Sequence, residues 1–193
     1  MAQRLRDPIP REHCWDVDPE TLAEVGWDLT PKRRDQSSLM SILNALSSVE
    51  IIPLKECSQI LMGRAIKSSD LVDAPEGSES IPYIRIRDVQ RGQATKGSSW
   101  LTQDAAAAFD ARWKLRTGDV LLSKSGTIGK SGVVRNGAVA AVAASGLFII
   151  RPDPDRMDPH FLAAYLDSSE CRVWLDDKAR GATIRHLSMQ ALG

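Results

Sequence analysis

The sequence predicts an α/β (α+β) protein: a mixed, largely antiparallel β-sheet with flanking helices, carried behind an N-terminal arm. Three observations predict it. Residues 81–151 hold a succession of short β-leaning runs separated by Gly, Asn and Asp. Residues 158–181 show helical periodicity between an Asp cap and a closing glycine. Residues 1–48 are polar, contain prolines and offer only short helical patterns, so 49–193 is taken as the folded domain and 1–48 as an arm or linker.

In chain order, Asp18 and Pro19 stand at the N-cap and first-turn positions of a short helix over 19–25. Leu39, Ile42, Leu43 and Leu46 recur at helical spacing over 38–47. VEIIPLKECSQILMG (49–63) reads as a strand, a short helix and a second extended piece, and SSDLVDAPEGSES (68–80) as a loop. IPYIRIRDV (81–89) alternates as a strand, with Arg85 and Arg87 opposite Ile84 and Ile86. The alanines of 105–115 favour a helix. DVLLSKS, GKSGVVR, AVAAVAA and GLFIIRP are short strands, and Asn136-Gly137 marks a hairpin, because both residues tolerate positive φ. In the helix over 158–181, Asp158 is the cap, Phe161, Leu162, Tyr165 and Leu166 share a face, and Gly181 ends it. The chain closes on an extended ATIRHLS, with Ser188 placed to cap a further helix.

Composition narrows the function. No run of about 18 apolar residues offers a membrane span, and the N-terminal residues lack the apolar stretch of a secretory signal. Cys14, Cys57 and Cys171 are scattered and odd in number, which argues against a disulfide framework and a zinc site and points to the cytoplasm. Net charge is zero, yet residues 81–151 carry 11 basic and 4 acidic groups. A basic middle in a neutral chain suggests a polyanion partner.

LLSKSGTIGKSG (121–132) sits in that middle. Gly129-Lys130-Ser131 ends like a phosphate-binding P-loop, but Lys124 stands where the first glycine belongs and a strand follows where a helix should. The segment reads instead as a glycine turn whose exposed tip offers Ser123, Lys124, Ser125, Thr127 and Lys130 to a phosphodiester backbone. Asp155, Asp176 and Lys178 imitate a nuclease set, but the last two close a helix and do not converge with Asp155 on a metal. No methylase cofactor turn and no nucleophile elbow occurs. No catalytic residue, metal or cofactor is expected.

Four blocks then stand in a telling order: IPYIRIRDVQRG, KLRTGDVLLSKSGTIGKSGVV, ASGLFIIRPDPDRMDPHFLAAYLDS and GATIRHLSMQAL. They resemble the target-recognition domain of type I restriction–modification specificity subunits, and VEIIPLKECSQILMGRAI resembles that family's opening segment. CWDVDPETLAEVGWDLTPKRR (14–34) looks like the stretch joining an N6-adenine DNA methylase domain to such a domain. The resemblance implies a single recognition globule that neither cuts nor methylates DNA. Such a domain reads one half of a bipartite double-stranded target and holds an adenine methyltransferase there, together with a restriction and motor subunit where the system has one.

Full specificity subunits carry two recognition domains, whereas this chain carries one. It reads equally as a fragment, as a half-subunit that dimerises, or as the tail of a fused methylase. On this reading Lys124 and Lys130, with their hydroxyl neighbours, grip the backbone. Arg85, Arg87 and Arg91 supply forked donors for base edges, Lys96 adds a further cation, and Arg180, Thr183 and Arg185 form a second contact loop. His186, Trp100 and Trp113 are assigned packing roles. The competing expectation is a protein-interaction module without DNA contacts, docking a partner through 38–47 and 158–178.

Overall fold

The computed structural model describes residues 52–78, 80–90, 92–95, 97–135, 138–181 and 185–192. The expected helices at 19–25 and 38–47, the arm and its boundary, the Asn136-Gly137 turn, Arg91, Lys96 and Thr183 lie outside them.

The architecture is α+β, built on a mixed six-stranded sheet. Its strands are β1 (Ser58–Met62), β4 (Val89–Gln90), β5 (Gly92–Ala94), β7 (Val120–Ser123), β8 (Ser131–Val134) and β10 (Leu147–Pro152), in the order β1-β10-β7-β8-β5-β4. All neighbours are antiparallel except β5 and β8. Two small pairs are the other strands among the described residues. β2 (Leu71–Val72) lies antiparallel to β6 (Trp100–Leu101), and β3 (Tyr83–Ile84) parallel to β9 (Val142–Ala143). Among the described residues the helices are α1 (Gln103–Ala107), α2 (Pro159–Asp167), α3 (Ser169–Lys178) and α4 (Met189–Leu192).

Successive side chains of a strand point to opposite faces, and here both faces are covered. Val120, Leu122, Val133, Phe148 and Ile150 face Leu162, Ala163, Leu166, Cys171 and Leu175 of α2 and α3. Leu121, Val134, Leu147 and Ile149 face Ile84, Leu115, Ala138, Ala141 and Ala143. The double burial explains why VLLS and LFII read as continuous apolar runs. Ser168 breaks the expected single helix in two. Its backbone is extended (φ −62°, ψ 152°), and its hydroxyl accepts from the Cys171 N–H at 3.2 Å, capping α3. Asp158 caps α2 as the sequence suggests, accepting from His160 and Phe161, whereas α3 stops at Lys178, before Gly181. The expected apolar face of α2 is divided: Leu162 and Leu166 are buried, while Phe161 and Tyr165 are 64% and 49% exposed.

Burial among apolar neighbours pushes the Cys171 thiol up to about 11. The folded state therefore holds this proton where the unfolded chain releases it, so stability should decline as pH rises from about 9 to about 11. Cys171→Ala should flatten that limb of a denaturation-versus-pH curve. Thiol reagents should label Cys171 only under unfolding conditions, as read by mass spectrometry.

Candidate nucleic-acid interface

Strand register brings several turns to one end of the sheet. Met62 closes β1 opposite Phe148, and Leu147 opens β10 opposite Ser123, the last residue of β7. Segments 63–68, 124–130 and 144–146 therefore leave from the same end. β3 runs beside β9, and the Ala144 N–H donates to the Ile84 carbonyl at 2.8 Å, so 85–88 continues alongside 144–146. An isolated bridge between Ser125 and His186, and a 2.8 Å bond from the Leu187 N–H to the Lys124 carbonyl, add 185–187. These five segments carry seven Lys or Arg residues and one carboxylate, Asp88.

Within the 124–130 turn, Gly126 (φ 67°) and Gly129 (φ 88°) occupy the left-handed region, which a side chain would strain. Ser123 is not at the exposed tip, as expected from sequence, but is fully buried in β7. Its hydroxyl donates to the Thr127 carbonyl at 2.5 Å and accepts from the Lys130 N–H at 2.8 Å, so it clamps the turn and is closed to DNA. Removing it would orphan a backbone N–H. Ser123→Ala should cost about 1–3 kcal/mol in urea unfolding and loosen the turn. Thr127 is exposed, and Ser125 and Lys130 are half-buried. Ser131 cannot serve a nucleotide as a P-loop serine does. It opens strand β8, and its hydroxyl donates to the Ala163 carbonyl at 2.9 Å.

Arg85 and Arg87 also differ from expectation. β3 stops at Ile84, and 86–88 forms a single 3-10 turn, because Asp88 accepts the Arg85 N–H at 2.8 Å and closes the chain back on itself. The two arginines thus leave a turn, not one side of a strand. The Arg85 guanidinium lies 5.7 Å from the centre of the Tyr83 ring, whose hydroxyl donates to the Arg64 carbonyl at 2.9 Å. Burial pushes that hydroxyl above the usual tyrosine range, keeping it a neutral donor. Arg87 is exposed, donates to Ser98 at 2.7 Å and lies 3.9 Å from Asp88.

Both arginines line an open hollow of about 430 Å³, with Ile66, Ser68, Ile86 and Gly146 among its other walls. Gly146 ties hollow and turn together. A Cβ placed on it would stand 2.8 Å from Ile86 Cδ1 and 3.1 Å from Ser125 Oγ, and its carbonyl accepts the Lys124 N–H at 2.9 Å. Lys124 itself extends over the Phe148 ring, 5.5 Å from its centre.

The structure thus brings Arg85, Arg87 and Ser125 to the neighbourhood of Gly146, while Lys124, joined there through its backbone, turns its side chain to Met62 and Phe148 on the helix-covered face. Lys130 sits at the other side of the turn, next to Gly129, which faces Arg172 and Leu175 of α3. Arg185 is exposed but held by the Asp176 carboxylate at 2.6 Å and by its carbonyl. Arg180 pairs its backbone with His186 and donates to the Asp177 carbonyl at 2.9 Å. Sequence reasoning missed Arg64, which the β1 turn delivers to this end. Of the nuclease-like set, Asp176 is engaged by Arg185 and Lys178 lies over Trp174, 5.9 Å from the ring centre. No cluster of His, Cys, Asp and Glu suited to a metal occurs among the described residues. No described helix is long and apolar enough to cross a membrane.

No family model and no curated protein matches the sequence. Solved structures do match. A chain from a study of complex assembly and conformational transition of the type I R-M system superposes with a TM-score of 0.54 and 21% identity, covering 90% of this chain and 42% of that one. The S subunit of a type I restriction–modification system from M. genitalium gives 0.49 and 14%, over 73% of this chain and 31% of that one. The HsdS subunit from Thermoanaerobacter tengcongensis gives 0.45 and 20%, over 89% and 44%. This chain spans less than half the length of each. With a TM-score of 0.54 over 90% of its length, this chain shares the fold of the matching part of that type I R-M system chain.

Proposed function

We propose that the chain is a sequence-specific DNA-recognition module of a restriction–modification system, without catalysis of its own. It reads one half of a bipartite target and positions an adenine methyltransferase there. One observation carries the reading: five segments brought to one end of the sheet carry seven cationic side chains, of which Arg185 is paired with Asp176, and one carboxylate of their own, Asp88. Backbone phosphates meet Lys124, Lys130, Ser125 and Thr127, and Lys96, Arg180, Thr183 and Arg185 are proposed as further contacts. Arg85, Arg87 and Arg91 meet base edges, where a guanidinium pairs with guanine O6 and N7. A second recognition domain, or a second copy of this chain, supplies the other half-site.

The test is duplex binding by the 193-residue chain, alone and with the cognate methyltransferase, across a salt series. Neutralising about four phosphates gives a slope near −3.6 in log K against log salt, hence roughly a hundredfold loss between 50 and 200 mM. Affinity that is absent, or flat with salt, in both preparations rejects the reading. The exposed Phe161 and Tyr165, one helical turn apart on α2, favour the second reading, a protein-docking module. That reading requires methyltransferase binding that survives without any DNA affinity.

A further inference from the structure

Arg64 and Arg112 come from segments 48 residues apart, yet both guanidinia lie against Trp113, at 5.1 and 5.0 Å from the ring centre. Their backbones are fixed by the same short strand. The Arg64 N–H donates to the Ala143 carbonyl at 2.8 Å and Arg64 bridges Ala144, while Lys114, next to Trp113, bridges Val142. The Arg64 carbonyl also receives the Tyr83 hydroxyl, and Tyr83 carries Arg85 on its ring. The result is a row of Arg112, Trp113, Arg64, Tyr83 and Arg85, in which each guanidinium rests on an aromatic ring.

Two guanidinium groups on one half-buried indole repel each other, and Arg112 also pairs with the Asp110 carboxylate at 3.1 Å. The side chains of that pair are 69% and 56% exposed, so the pairing adds little against solvent. The attraction of a cation to the indole face restrains each guanidinium beside the ring. A fork held in advance loses less freedom on binding an oxyanion, and a planar fork matches phosphate oxygens.

We infer that Arg64 and Arg112, stacked on Trp113, form a second phosphate-contact site that continues the DNA surface away from Arg85. The inference rests on the DNA-recognition reading. Phosphate is the chemistry such a pair recognises, and it carries no base information, so these residues set register on the duplex and leave sequence preference alone. Trp113 acts as a positioning residue for the two cations.

The experiment is a salt series of duplex affinities for the 193-residue chain and for Arg64→Gln, Arg112→Gln, Trp113→Phe and Trp113→Ala, with two unrelated duplex sequences. Each arginine variant should bind about 3–10-fold more weakly on both sequences, and its salt slope should shrink by about 0.9. Trp113→Phe should bind nearly as the parent. Trp113→Ala, which keeps both charges, should lose affinity with little change in slope. The exposed Arg112 keeps the test valid should Arg64→Gln or Trp113→Ala fail to fold, as monitored by circular dichroism. If the parent binds with salt dependence but both arginine variants match it in affinity and slope, the inference fails and the recognition reading stands. If the parent binds neither duplex at any salt, alone or with the cognate methyltransferase, both fall.

Discussion

Arg151→Ala should destabilise the protein by roughly 3–5 kcal/mol, among the largest effects of any single substitution here. Asp119 is fully buried immediately before β7, and Arg151, on the adjoining β10, meets it with Nε on one oxygen at 2.8 Å and Nη2 on the other at 2.9 Å. Oδ2 also accepts the Arg116 N–H, and the guanidinium reaches the Lys114 carbonyl at 3.3 Å. The hydrogen bond to Asp119 raises the Arg151 pKa further still, so the guanidinium stays charged. Truncating the arginine leaves a carboxylate without water or counter-charge, and that desolvation dominates the loss. The midpoint of thermal unfolding should drop by about 10 °C. Asp119→Asn with Arg151→Met removes both charges and keeps an acceptor for Arg116, so it should recover much of the deficit. A loss under about 1 kcal/mol for Arg151→Ala in urea unfolding would show that the pair is not the staple its geometry indicates.

The same pair bears on what the sequence could tell. Between Arg112 and Arg151 the chain counts seven basic residues and one acidic, and the single acid is the one withdrawn into the interior. Local charge was therefore legible, whereas its placement was not, since only strand register decides which turns share an end. Fold class followed from VLLS, LFII and the Asp158 cap, which are local signals. The break at Ser168 was not legible, because a serine inside an otherwise helical pattern is ordinarily tolerated. Ser123 misled for a related reason: hydroxyls beside lysines in a glycine turn look solvent-facing until the parity of β7 turns this one inward. Arg64 and Arg112 carry no motif at all. They meet only because β9 receives bridges from two distant segments, and the one sequence hint was an arginine beside a tryptophan.

Arg85→Ala should abolish preference at one base position, while Lys124→Ala weakens every duplex alike. The contrast follows from how each charge is held. Arg85 starts from a backbone N–H pinned by Asp88, rests on the Tyr83 ring and borders the hollow beside Ile86, so its fork is presented at a defined angle. A bidentate contact with guanine is worth about 1–3 kcal/mol of discrimination, or roughly 5- to 150-fold between the preferred and a substituted base. Lys124 ends in a rotatable ammonium over Phe148 and beside Met62 Sδ at 3.7 Å, a point charge with no directional fork. Its loss should lower affinity uniformly and reduce the salt slope by about one unit, as should that of Lys130. Arg85→Lys separates charge from geometry, keeping the slope while losing the preference. A randomised-duplex selection on parent, Arg85→Ala, Arg85→Lys and Lys124→Ala reads all of this. A motif unchanged by Arg85→Ala but altered by Lys124→Ala would reverse the two roles and move base reading from the 85–88 turn to the 124–130 turn.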